Sequence, residues 1–487
     1  MKLVYVGIDR QLHLVSDWET GPTTVHLTSP PSFMLRAAPA EGWSWPTWSP
    51  DGQWIAAFAV VARDDESGPA RVVTTSIDGL RQTEWADLPD AAPLYLQWHP
   101  AGTAICVLTQ VDSDLRLGLI QADRLGVVKD LAQGVPLFFN WTPDGSRLWV
   151  HHGERGKAGG SLLIRDPMGE DEDRLYARTP GSFCAPVFCG GRTFIAVRQS
   201  SLEQAVAELA EEAATASDDE DDDQADAGEA ALLASLVDEV GEDEEDAGGL
   251  LPGVNVDALA ELEDAGGDDE DDEDEDDGGV ERTGPIVPRR RVASSMLVSC
   301  DLLGEDEEEI TARPGLIALA AGPDRKAALS WASGGEGAPY HGIDVIDVGA
   351  VDGPSVRRLS EAPLLAYTWV PGGAALVVFR VDAPANCMSV VRVDAVSGAE
   401  HVLGTFWPTR DLFFWLHFFD QFLDSHPLVS ADGAWVTWSG YPAGDGQADL
   451  SAPPRVWVRS LVDLAASPIE VGRGTFATFA PAPSASA

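Results

Sequence analysis

The sequence predicts an all-β protein folded as one closed ring of small four-stranded blades, a β-propeller. Three observations predict it: a short turn motif recurs, an apolar strand-like run follows each copy, and the copies are about one blade apart. The motif reads "WSPDG" at Trp48–Gly52, "WHPAG" from Trp98, "WTPDG" from Trp141 and "WVPGG" from Trp369.

Each copy has the chemistry of a tight hairpin. Proline presets φ for the second turn residue, Asp51 can bond nearby backbone, and the closing glycine takes a positive φ. The anchors are therefore Trp48 with Gly52, Trp98 with Gly102, Trp141 with Gly145, and Trp369 with Gly373, structural residues whose tryptophans pack between blades. Strands follow them: "QWIAAFAVVA" (53–62), "TAICVLTQV" (103–111), "SRLWVHHG" (146–153) and "AALVVFRV" (374–381). A solenoid of helix pairs could share the period, but its apolar residues would recur every 3.6 positions.

Degenerate copies at Val187, Ala321, Val429 and Phe479 extend the series. Every interval falls between 43 and 60 residues except the one of 134 from Val187 to Ala321. Taking residues 200–290 out of that interval leaves 43, so the segment reads as an insertion within one repeat. The expected organisation is propeller over 1–199, acidic low-complexity insertion over 200–290, and propeller over 291–487. The chain starts inside a repeat and stops just after an anchor, so its last strand can complete the first blade and remove a free sheet edge. That gives eight blades; two anchors are degenerate enough to leave seven open.

The "WSPDG…IAA", "WTPDG…LWV" and "VSADG…WVT" copies resemble the repeats of TolB-like propellers, also found in the propeller domains of prolyl-oligopeptidase-like peptidases. The resemblance covers most of the chain outside the insertion and implies the fold more than any role. The sequence departs from TolB in lacking a signal peptide and a preceding domain, and from the peptidases in lacking a hydrolase domain after the last blade. WD40 repeats are disfavoured because no Trp-Asp dipeptide occurs.

Charge is concentrated. The 487 residues carry a net −48, yet residues 201–280 alone hold 33 acidic residues and no Lys or Arg. No face is basic enough to neutralise phosphates, so nucleic acid is not an expected partner. No 18-residue apolar run exists, so no membrane insertion is expected. Five cysteines without a CxxC pair fit a reducing compartment, and with no signal-peptide pattern the expected location is cytoplasmic.

Catalytic motifs are missing: there is no GxSxG, H-E-x-x-H or Walker A sequence. His151 and His152 should face opposite sides of a strand, and Cys184 with Cys189 read as buried small hydrophobes. No catalytic, cofactor-binding or metal residue is assigned, and no cofactor is expected. The tract "DDEDDEDEDD" (268–277) fails the calcium-loop spacing, which leaves weak, loose divalent-cation binding.

Two segments offer partner-binding side chains. Within the insertion, Leu232, Leu236 and Val240, then Leu259 and Leu262, form apolar helical stripes between acidic runs, a pattern of segments that fold on a partner or of a solvated spacer. "RDLFFWLHFFDQFLDSHPL" (410–428) lengthens its repeat by about ten residues over a typical blade. Phe414, Phe418 and Phe422 recur at helical spacing and Trp415 helps make that stretch apolar nearly all round, so it must be covered: it caps the ring, plugging a mouth or packing on a blade edge, or it is an exposed docking site for another protein.

The functional expectation is a non-enzymatic interaction scaffold whose acidic arm binds a protein partner, basic or part of a membrane-associated complex. The alternative is a propeller enzyme or small-ligand binder with its site at the central channel, for which Asp112, Asp114, His151 and His341 are loop candidates.

Overall fold

The computed structural model describes residues 1–28, 41–62, 67–89, 91–153, 160–169, 172–181, 185–199, 294–323, 325–332, 339–350, 354–382, 387–444 and 447–482. Strand pairing resolves into eight antiparallel blades arranged as a ring. The innermost strands are Gly474–Phe479, Glu41–Trp48, Ala92–Trp98, Leu137–Trp141, Val187–Cys189, Leu316–Ala321 and Ala366–Trp369, for blades 1 to 7. In blade 8 the inner strand is reduced to residues 428–430, bridged at Val429↔Val436.

The first blade is assembled from both ends of the chain. Gly474–Phe479 pairs with Lys2–Gly7 in the register Leu3↔Phe479, Val4↔Thr478 and Tyr5↔Ala477, so the ring closes without an open edge. A second join links blades 7 and 8, where the outer strand Glu400–Pro408 continues onto the strand Trp435–Gly444 through Trp407↔Tyr441.

Three of the anchors share one turn chemistry. At Ser49–Trp54 the Ser49 hydroxyl donates to the Asp51 carboxylate at 2.5 Å, and the Gln53 N–H donates to the same oxygen at 3.0 Å. The Trp54 N–H donates to Ser49 Oγ at 2.9 Å. Thr142 with Asp144, and Ser430 with Asp432, repeat this arrangement. Gly52, Gly102, Gly145, Gly373 and Gly433 close their turns with φ between 64° and 74°, and Arg325 takes that role in blade 6 at 62°.

Three of the four anchor indoles tie their blade to the one before, while Trp141 Nε1 is buried without a hydrogen-bond partner. Trp48 Nε1 donates to the Thr478 carbonyl (3.2 Å), Trp98 Nε1 to that of Thr47 (3.3 Å), and Trp369 Nε1 to that of Ala320 (3.2 Å). The acceptor in these three is the residue just before the preceding blade's anchor position, so one contact recurs at three junctions of the ring. Strands buried on both faces read as continuous apolar runs, as in Ala375–Phe379, where every residue is fully buried. Blades 5 and 6 add a polar clasp: Arg313 and Arg358 both pair with the buried Asp344 carboxylate and stack on Trp331.

The strands Arg192–Gln199 and Ser294–Cys300 are hydrogen-bonded neighbours in blade 5, ending at Gln199↔Ser294. Residues 200–293 therefore connect two adjacent strands at the ring end opposite the anchor turns. Leu232, Leu236, Val240, Leu259 and Leu262 lie there, outside the described residues.

Candidate functional site: a plugged channel and a tryptophan-lined rim groove

The connection from blade 7 to blade 8 enters the axis of the ring. Helix α1 (Arg410–His417) starts at Thr409, whose hydroxyl accepts the Leu412 N–H at 3.3 Å, and the short helix α2 (Phe419–Phe422) follows. The segment is apolar on nearly every side because inner strands surround it on nearly every side. Trp415, Leu416 and Phe419 are fully buried, and Phe422 almost so.

Aromatic side chains converge on this plug from blade after blade. Phe422 stacks on Trp45 of blade 2 (5.2 Å between centroids) and meets Tyr95 of blade 3 edge-on (4.9 Å). Phe419 packs on Tyr367 of blade 7 (4.7 Å), and Phe476 of blade 1 lies against Trp45 and His426. Trp45 reaches inward because its strand bulges between Ser44 and Thr47, with a left-handed φ of 50° at Trp45 itself.

Polar contacts fix the depth of the plug. The Gln421 side-chain amide accepts the Phe139 N–H at 2.9 Å and donates to the Phe139 carbonyl at 2.5 Å, as a neighbouring strand would. Asn140 donates to the Asp424 carboxylate at 3.0 Å, and Thr47 Oγ1 to the Ser425 carbonyl at 2.8 Å. Trp415 Nε1 donates to the His426 carbonyl at 3.1 Å. Burial holds His426 neutral, with its pKa lowered to about 3. Burial also raises Asp420 to about 7, and burial with the added charge of Asp420 pushes the phenols of Tyr95, Tyr340 and Tyr367 up.

Phe414 and Phe418 are half-buried at the end of the ring where the plug enters. There they line a small apolar niche with Leu94, Val135 and Phe138. Trp415 and Phe422 are enclosed and offer no outer surface.

The channel candidates Asp112, Asp114, His151 and His341 sit on three different blades, and none is on an inner strand. His151 is fully buried and stacks on Phe138 at 6.0 Å, while its neighbour His152 is half-buried on the other face. Cys106, Cys189, Cys300 and Cys387 are buried free thiols; Cys184 lies outside the described residues.

One convergence escaped the sequence reading. Asp9, His13 and His26 place their ligand-type atoms within 4.8 Å of one another, because the hairpin register sets His13 directly opposite His26. The signal was available in the spacing of the strands Leu12–Ser16 and Thr23–His26, had their register been counted. His13 Nε2 is 2.9 Å from Asp9 Oδ1, and His13 Nδ1 is buried without a hydrogen-bond partner. A metal on Nε2 would move the ring proton to that buried, unsatisfied nitrogen, so the cluster fits an Asp–His hydrogen bond better than a metal centre.

A groove of about 460 Å³ lies on the rim, at the anchor-turn end between blades 2 and 3. Its walls are Trp54, Trp85 and Trp98, with Asp51 at one side and Ala122 and Leu125 at the other. Trp85 Nε1 donates to Thr74 Oγ1 at 3.1 Å, and Arg81 stacks on Trp54 at 4.7 Å, which fixes both indoles.

No protein-family model matches the chain, and no curated protein matches it. Among solved structures it is similar to a prolyl endopeptidase at 9% identity and a TM-score of 0.49, over 89% of this chain and 50% of that one. It is also similar to the β-propeller domain of the trilobed protease from Pyrococcus furiosus (10% identity, TM-score 0.42, 86% and 93% covered). A third likeness is to TolB from Acinetobacter baumannii (13% identity, TM-score 0.31, 76% and 66% covered). The chain spans half the length of the prolyl endopeptidase it matches. At these identities the likeness is one of fold.

Proposed function

We propose that the protein is a non-enzymatic interaction scaffold, a rigid TolB-like ring that presents an acidic arm to a basic partner protein. The plug carries this reading. The axis of a propeller is where a channel-based catalytic or ligand site would need to gather polar groups. Here it is occupied by Trp415, Phe419 and Phe422 packed against inner-strand aromatics. The arm supports it from a second side. Residues 201–280 hold 33 carboxylates and no base, a charge density that attracts a cationic surface over a Debye length of about 8 Å. The plug and the arm reach the ring from the same end, so a partner bound by the arm would meet Phe414 and Phe418 there.

The test replaces residues 200–293 by a two-residue Asn-Gly turn, which the Gln199↔Ser294 pairing accommodates. Affinity capture with the intact and shortened proteins is then compared. A partner held by the intact chain, released by about 0.5 M salt and lost with the arm supports the scaffold. Identical captured sets from two cooperatively folded proteins would refute it.

A further inference from the structure

We propose that the groove between blades 2 and 3 is a receptor for an aromatic side chain, tryptophan above all, supplied by a partner protein. It lies at the anchor-turn end, opposite the arm, and so goes beyond the scaffold reading.

The ring itself contains the template. Blades 8 and 1 form the corresponding junction on the other side of the closure. There Trp435 begins the second strand of blade 8 as Trp54 begins that of blade 2, and Phe479 ends the inner strand of blade 1 as Trp98 ends that of blade 3. Between them sits Trp18, from the loop that follows the third strand of blade 1. Its indole meets Trp435 edge-on at 5.7 Å and Phe479 at 6.0 Å, is only 4% exposed, and belongs to a cluster with Val458 and Val471. This junction is closed by an indole delivered from the chain.

At the blade 2–3 junction the same loop of blade 3 carries Ala122 and Leu125 instead. No aromatic side chain is delivered, and the cavity stays open to about 460 Å³. Trp85 stands at the bulge of the outer strand of blade 2, where blade 8 has Val471. The larger residue narrows the slot and adds an aromatic wall, with Trp85 and Trp98 held edge to face at 5.4 Å. A volume of this size falls within the usual range for small-molecule sites, and stacked or edge-on rings are the geometry that aromatic guests prefer. Asp51 adds an acceptor at the side: its Oδ1 is taken by Ser49 and Gln53, while no described contact claims its second oxygen. An indole N–H fits that acceptor.

Calorimetric titration of the intact protein with N-acetyl-L-tryptophanamide, and separately with N-acetyl-L-lysinamide, tests the proposal. The expected result is saturable 1:1 binding of the tryptophan probe at millimolar strength or tighter, with the lysine probe at least tenfold weaker. Ala122→Trp delivers an indole from the loop that carries Trp18 in blade 1, and should abolish binding. Trp18→Ala opens the template junction, and should raise the stoichiometry from one to two. Equal binding of the two probes would overturn the proposal in favour of a cationic guest. Absence of saturation by 10 mM, or tryptophan binding that survives Ala122→Trp in a folded variant, would also overturn it. Because the arm is not involved, its deletion should leave the titration unchanged, so failure here and failure of the scaffold reading are separable.

Discussion

Asp420 sits on the plug, and its buried carboxyl makes the stability of the ring depend on pH. Its pKa is raised from 3.8 to about 7 because burial opposes the charged form more than the backbone N–H of Gln421 supports it. The folded state therefore holds a proton over a range in which the unfolded chain has released it. The stability tied to that proton is fully present below about pH 3.8 and is lost as pH rises through about 7. Each tenfold change in proton affinity is worth about 1.4 kcal/mol, which sets a ceiling of about 4 kcal/mol above pH 7. The side chain keeps partial solvent exposure, which reduces the expected cost to about 2–4 kcal/mol. Asp420→Asn reproduces the shape of the neutral acid without the charge. Urea denaturation of both proteins at pH 4.5 and pH 8.5 reads the difference, since all other titrating groups are shared. The variant should exceed the wild type by no more than about 1 kcal/mol at the lower pH and by about 2–4 kcal/mol at the higher. A difference that stays constant within 0.5 kcal/mol, or a variant less stable at pH 8.5, would refute the reasoning.

Two further predictions concern packing. Trp415→Ala removes a fully buried indole and leaves the His426 carbonyl without its donor, so it should cost about 3–5 kcal/mol in the same denaturation assay; a loss below 1 kcal/mol would mean that the plug is not part of the core. Gly145 and Gly52 share a left-handed φ, but a Cβ at residue 145 would strike the His99 ring at 2.6 Å, whereas at residue 52 it would meet only Pro481 at 3.9 Å. Gly52→Ala should therefore cost about 1–2 kcal/mol and Gly145→Ala about 1 kcal/mol more, an order that thermal melts would expose if reversed.

What the sequence revealed and what it hid divide by range. The anchor turns depend on residues within six positions of each other, as in Ser49–Trp54, so their chemistry is written locally and sets the blade count. The closure was also legible, because a repeat cut at both ends has one economical pairing. Contacts between blades are a different matter. Nothing near Trp18 in the chain names Trp435 or Phe479, and nothing near Ala122 shows that an indole is missing beside it. The Asp9–His13–His26 cluster lay between these extremes, since it needed only a hairpin register. Arg325 in a glycine's conformation also blurred the anchor of blade 6, which shows how tertiary context can override a turn preference.

The plug follows from the blade count itself. Eight inner strands enclose a wider axis than their own side chains can fill, and the space must hold water and polar groups or be occupied by chain. The one repeat of 60 residues has the length to spare, and its extra segment is apolar all round, which suits an element surrounded by blades rather than one lying on a surface. Gln421 then explains why the segment stops where it does. By pairing with both backbone groups of Phe139 it uses hydrogen bonds that a short inner strand would otherwise leave facing the axis. Gln421 thus sets the register of a plug that Trp415, Phe419 and Phe422 seal, and a substitution that frees Gln421 should loosen α1 and α2 together rather than one after the other.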